Sequence, residues 1–213
     1  MKLTQLTQLT TKLTQLQKDL LIGTLLGDGS MQTFSNGKTW RYRAIHQSSQ
    51  VDYLLYKYEI LKELCNTEPK ESSTYDSRTN KTYYRYSFNT LTNPSLRFFA
   101  NLFYKIKDTP PLGIIKVVPI NIELFLTPRA LAFFYMDDGS LKWKGHSKAI
   151  RLCTDNFTLD DVKRLQKVLN DKYNIKSTLS KCPSGHRIEI SDTSIFFELI
   201  KPFIHNSMAY KIP

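Results

Sequence analysis

The chain has 213 residues, enough to bury a core in one large domain or two small ones, and its 41% hydrophobic and 12% aromatic content excludes a disordered polymer. The net charge of +11 makes a polyanion the expected partner. No apolar run approaches the roughly 20 residues of a membrane span, so no membrane partner is expected; Cys65, Cys153 and Cys182 form neither a disulfide framework nor a zinc spacing, which suits a reducing compartment.

The charge is evenly divided. Residues 1–109 carry 15 Lys and Arg against 9 acids, and residues 110–213 carry 15 against 10, as two similar binding surfaces would and a basic tail would not. Residues 1–18 are a Leu/Thr/Gln segment without acids, read as an N-terminal extension. From about Leu13 or Leu16 the pattern predicts a helix that ends in Leu21-Ile22-Gly23-Thr24-Leu25-Leu26-Gly27-Asp28-Gly29-Ser30. Residues 39–47 alternate, with Arg41, Arg43 and Gln47 on one face and Trp40, Tyr42 and Ala44 on the other, which predicts a strand. Asp52 to Leu64 predicts a helix, its apolar face on Leu54, Leu55, Tyr58, Leu61 and Leu64 and its outer face on Lys57 and Lys62. A turn at residues 75–81 and a strand at residues 83–89 follow. Pro94 opens a helix to about Lys105, and Pro110-Pro111-Leu112-Gly113 marks a linker over residues 110–126.

The order then repeats. Thr127-Pro128 is an N-cap followed by Pro at the first helical position. The helix it starts ends in Leu131-Ala132-Phe133-Phe134-Tyr135-Met136-Asp137-Asp138-Gly139-Ser140, an echo of residues 21–30. Strands are expected at residues 141–144 and 149–154. Thr158 caps a helix through Val162, Leu165, Val168 and Leu169, a hairpin surrounds Pro183-Ser184-Gly185, and Asp192 caps a last helix. The chain therefore reads as α+β, with αββαββα twice: residues 19–109 and residues 127–213.

Each Asp-Gly-Ser puts a carboxylate at a helix C-terminus, the end that already carries partial negative charge. The following glycine stands where a left-handed residue stops a helix at no cost. Two such acids ask for a cation. If the two motif helices pack on a pseudo-dyad, Asp28 and Asp138 come together, with Gly23 and Gly27 of the first helix accommodating Phe133 and Asp137 of the second. Oxygen ligands without a His or Cys cluster point to Mg²⁺, which suits phosphodiester hydrolysis. Lys116 and Lys211, each just before a Pro at the end of a repeat, are candidates to position or activate water. Arg41, Arg43, Gln47, Arg85, Lys142, Lys144, Arg151, Lys181 and Arg187 lie on expected strands and are candidates to meet phosphates and base edges of duplex DNA. Lys163, Arg164, Lys167 and Lys172 read as a solvated helix face.

On these residues the chain resembles the LAGLIDADG homing endonucleases, above all the single-chain, two-motif enzymes encoded in organellar group I introns. The motifs are Leu21 to Gly29 and Leu131 to Gly139. The resemblance implies a saddle of antiparallel sheets over double-stranded DNA and a monomer with an internal pseudo-two-fold. Asp28 and Asp138 would be the metal-binding acids, with Gly27 and Asp137 before them in the metal set. Lys211, in a Tyr-Lys-aliphatic-Pro tail, would belong to the second active site and Lys116 to the first, though the spacing around Lys116 departs from the pattern. It further implies Mg²⁺-dependent cleavage of both strands of a long, nearly asymmetric site, leaving 3′ overhangs. Mn²⁺ is expected to substitute and Ca²⁺ to bind without supporting cleavage. A mitochondrion or chloroplast is implied as the location. The alternatives are an RNA maturase acting on its own group I intron, a catalytically silent DNA-binding protein, and a nuclease of low sequence preference.

Overall fold

The computed structural model describes residues 13–107, 113–143 and 145–213; what the sequence leads one to expect of residues 1–12, residues 108–112 and Lys144 lies outside them. The first helix, α1, runs from Gln15 to Leu26. Its start is a capping box: Thr14 Oγ1 accepts from the Gln17 N–H at 3.2 Å and the Gln17 side chain accepts from the Thr14 N–H at 3.0 Å. By compactness the described chain divides into two units. One holds residues 13–18 and 28–98, the other residues 19–27 and 99–213.

In the first unit β1 (Ser30–Gln32), β2 (Arg41–Gln47), β3 (Lys70–Asp76) and β4 (Lys81–Asn89) form one antiparallel sheet of order β1-β2-β4-β3. The period-two reading of β2 holds: Tyr42, Ala44 and His46 are buried, while Arg41, Arg43, Ile45 and Gln47 face the other way. α2 (Val51–Leu61) lies on the buried face, where Tyr58 and Phe88 pack edge to face with centroids 5.6 Å apart. Two expectations for this helix fail. Leu55 is exposed, and Lys57 is completely buried. Lys57 falls three residues from Leu54 and four from Leu61, on the apolar stripe, so geometry outranks charge here.

α3 (Pro94–Phe103) stops two residues before the expected end, because the chain turns directly into β5 (Tyr104–Lys107). This strand pairs antiparallel with β6 (Gly113–Lys116), and Lys116 stands opposite Tyr104. The segment read as a linker thus carries a strand and the buried Val117 and Val118.

The second unit repeats the first sheet's topology. α4 (Pro128–Asp138), β7 (Gly139–Leu141), β8 (Ile150–Leu152), α5 (Leu159–Tyr173), β9 (Thr178–Cys182), β10 (Gly185–Ile190) and α6 (Ser194–Ile200) follow in order, with strand order β7-β8-β10-β9. The expected caps form: Thr127 Oγ1 accepts from the Ala130 N–H at 3.0 Å, and Thr158 Oγ1 from that of Asp161 at 3.2 Å. α4 is buried along its whole length from Ala130 to Asp137, with Tyr135 stacked edge-on against Phe196 and Phe197. The strand expected to run from Leu141 to Lys144 ends at Leu141. The chain is α+β with αββαββα twice, and in chain order the pair β5–β6 comes after the first copy and before the second.

Candidate functional site

The two motif helices meet inside the second unit. A Cβ on Gly23 would lie 2.2 Å from the Ala130 carbonyl oxygen and 2.5 Å from Phe133 Cβ, and one on Gly27 would lie 2.5 Å from Asp137 Cβ. Both glycines are therefore required by close approach of one helix to the other, with small residues against Phe133 and Asp137 as the spacing indicates. At the far end of this seam Thr127 donates to Asp19 at 2.9 Å and Arg129 stands 3.5 Å from the same carboxylate.

The glycine after each acid serves differently from the sequence reading. Gly139 has φ −85° and ψ 147°, and Gly29 is not left-handed either. Gly139 is extended and opens β7. A Cβ there would lie 2.0 Å from the Tyr135 ring, so the missing side chain makes room for an aromatic, not for a turn.

The lysines occupy matching positions. Lys116 Nζ donates to the Gly27 carbonyl oxygen at 2.7 Å, and Lys211 Nζ donates to the carbonyl oxygens of Met136 at 2.6 Å and Asp137 at 3.0 Å. Gly27 directly precedes Asp28, and Asp137 directly precedes Asp138. In each motif one ammonium thus rests on the carbonyl just before the acid, where helix-end carbonyls lack intrahelical donors. Tyr135 holds the tail that brings Lys211 there, donating to the Lys211 carbonyl at 2.5 Å. Burial raises the phenol's pKa far above its ordinary value, which keeps it a donor.

Asp28 is exposed, and its Oδ2 lies 4.0 Å from Nδ1 of the buried His46. Asp138 is half-buried; its carbonyl accepts from the Cys153 N–H at 2.9 Å. The Cys153 thiol is held above its ordinary pKa by burial and then by the Asp138 charge.

The strand-borne candidates are disposed by register. In the first sheet Gln47 stands opposite Arg85, which stands opposite Ser72, and Arg43 lies between Ser30 and Asn89. Directly opposite residues share a face, so these rows line the side away from the buried residues. Arg41 donates to Gln32 at 3.0 and 3.1 Å and covers the Phe34 ring. In the second sheet Arg151 lies between Ser140 and Glu189, and Glu189 binds both Arg151 at 3.1 Å and Lys142 at 2.5 Å. Lys181 is exposed on β9. Sequence reasoning missed Glu189, whose tie to Lys142 spans 47 positions. Tyr83, exposed on β4 two residues from Arg85, shares its face.

Arg187 forks onto Asp155 through Nε and Nη2 at 2.7 and 2.6 Å. That fork holds the Asp155 carboxyl down to about 2 from its ordinary 3.8. A depressed carboxylate stabilises the fold above its unfolded pKa and loses that contribution as pH falls through the folded value. Asp155→Asn is therefore expected to cost about 1–2 kcal/mol at neutral pH and to flatten the stability curve between about pH 4 and 2, read by denaturant unfolding at each pH.

The LAGLIDADG DNA endonuclease family matches residues 18–196. DNA endonuclease I-ChuI of Chlamydomonas applanata is 52% identical over 209 residues, covering 94% of this chain and 95% of that protein. The cytochrome b mRNA maturase bI2 of Debaryomyces hansenii is 34% identical over 200 residues, covering 91% of this chain and 72% of the relative. Among solved structures, the homing endonuclease I-WcaI bound to its DNA recognition sequence superposes with a TM-score of 0.85 at 21% identity, covering 99% of this chain and 91% of its own. Among the described residues no helix is long and apolar enough to cross a membrane. With both motifs intact and each acid preceded by a carbonyl that carries a lysine, the chain belongs to the LAGLIDADG DNA endonuclease family.

Proposed function

We propose that the chain is a site-specific endonuclease that binds duplex DNA on the outward faces of its two sheets and cuts both strands with a divalent metal. The observation that carries this is the repeated arrangement of lysine, carbonyl and acid at both motif helices. A module that only bound nucleic acid would gain nothing from carboxylates in a basic surface. Asp28 and Asp138 are the acids that would bind metal, each in its own motif, with the Gly27 and Asp137 positions beside them. The donor set fits Mg²⁺: the acids and their neighbouring carbonyls are hard oxygen ligands, and a helix C-terminus adds negative charge to each. When bound, the metal would polarise the phosphate and lower the pKa of a water. Lys116 and Lys211 would hold that water and stabilise charge on the phosphate oxygens. A long, near-asymmetric target cut to leave 3′ overhangs, a monomeric enzyme, and an organellar setting rest on the family resemblance.

The reading as a maturase for group I intron RNA is supported by similarity to maturases such as the Debaryomyces hansenii relative. Cleavage of a randomised duplex library with Mg²⁺, with Ca²⁺ and with chelator separates the two. Recovery of one long site cut only with Mg²⁺ is the expected result. Binding without cutting under every condition would favour the maturase. DNA affinity is expected to fall about 10³-fold between 50 and 200 mM salt, as it does for proteins with six or more phosphate contacts, and a flat response in filter binding would remove the proposed interface.

A further inference from the structure

Lys57 is a lysine in the core, and neither sheet packing nor DNA binding accounts for it. It is completely buried on α2, its Nζ 2.8 Å from Nε2 of His46 and 4.3 Å from the centroid of the Tyr53 ring. His46 is itself buried, on the face of β2 that packs against α2, with its ring 5.2 Å from that of Tyr53. A leucine in place of Lys57 would complete this core without the desolvation cost of a buried charge. The two side chains therefore do something besides fill space.

As an ammonium, Lys57 would have three donors and no acceptor, and the imidazole nitrogen 2.8 Å from it would accept. The proton of a neutral imidazole is then left on Nδ1, the nitrogen 4.0 Å from Asp28 Oδ2. We infer that Lys57 and His46 are positioning residues for Asp28: the lysine fixes the tautomer of the imidazole, and the imidazole presents an N–H toward the carboxylate. Nδ1 is thereby a donor to the acid and not a metal ligand. This rests on the reading of Asp28 as a metal-binding acid.

The device belongs to one half only. Ser30 and Ser140, each two residues after an acid, stand opposite Arg43 and Arg151, so His46 occupies the register position of Thr154. Thr154 is buried, and its hydroxyl donates to the His186 carbonyl at 2.6 Å. The device therefore acts at Asp28 and has no counterpart at Asp138.

Two measurements on the full chain test this. Nitrogen-15 NMR of the imidazole rings reads the His46 tautomer in the unmutated protein, where the proton is expected on Nδ1; a proton on Nε2 would overturn the inference without any variant. Mn²⁺ alone is then titrated while the amide signals of Gly29 and Gly139, beside the two acids, are followed for paramagnetic broadening. Lys57→Met is expected to move the Gly29 midpoint to about tenfold higher Mn²⁺ and to leave Gly139 unchanged, the usual scale for an outer-shell partner of a metal ligand. An unchanged Gly29 midpoint in Lys57→Met, with broadening lost in Asp28→Asn, defeats the positioning role alone. Unchanged broadening in Asp28→Asn defeats the metal reading of Asp28 and the positioning role with it.

Discussion

Asp28→Asn and Asp138→Asn are each expected to lower double-strand cleavage by at least about 10³-fold while DNA affinity stays within about threefold, because the lost charge acts on a metal and not on the phosphates. Asparagine keeps the shape of aspartate and one of its oxygens. It removes the charge that makes a hard divalent cation stay. Asp28 is exposed and Asp138 half-buried, so neither substitution empties a core. The check is a plasmid bearing the recovered target site, scored for nicked and linear product with Mg²⁺ and, in parallel, for binding with Ca²⁺. Loss of binding in both variants, with circular dichroism unchanged, would show that these acids organise the surface instead of the chemistry.

The largest stability effect is expected at Gly23. Gly23→Leu places a branched side chain where even a Cβ would be 2.2 Å from the Ala130 carbonyl oxygen and 2.5 Å from Phe133 Cβ. Neither obstacle is the yielding end of a long side chain; one is helix backbone and the other is the root of a side chain. The helices must move apart, and the expected cost is about 4 kcal/mol or more, beyond ordinary core overpacking. Gly113→Ala is the control: nothing lies within 4 Å of its added carbon, and a change within about 0.5 kcal/mol is expected. Urea unfolding of the two variants decides it, and equal midpoints would show that the seam opens freely.

Much of this was legible in the residues because the signals were local. The alternation of residues 39–47, Thr127-Pro128 and Thr158 each announce an element within one or two turns of chain. The seam was legible for another reason: aligning the two motifs sets Gly23 against Phe133 and Gly27 against Asp137, the contacts the structure contains. What stayed hidden depends on partners far along the chain. Lys57 looked exposed because it is charged, and its histidine partner is on a different element. The ion pair of Arg187 was hidden because Asp155, 32 positions away, gives no local sign of it. β5 continued the helical pattern of α3 until its pairing with residues 113–116 could be seen.

α1 begins in one compact unit and finishes in the other, since residues 13–18 pack with residues 28–98 and residues 19–27 with residues 99–213. This has a consequence during synthesis. Residues 19–27 leave the ribosome early, but Ala130 and Phe133, against which Gly23 must close, are made more than 100 residues later. At about 5–20 residues per second, the apolar flank of Leu20, Leu21 and Leu25 waits several seconds for its cover. An N-terminal fragment ending near residue 109 would wait indefinitely, and such a truncated product is expected to be captured by chaperones or to aggregate.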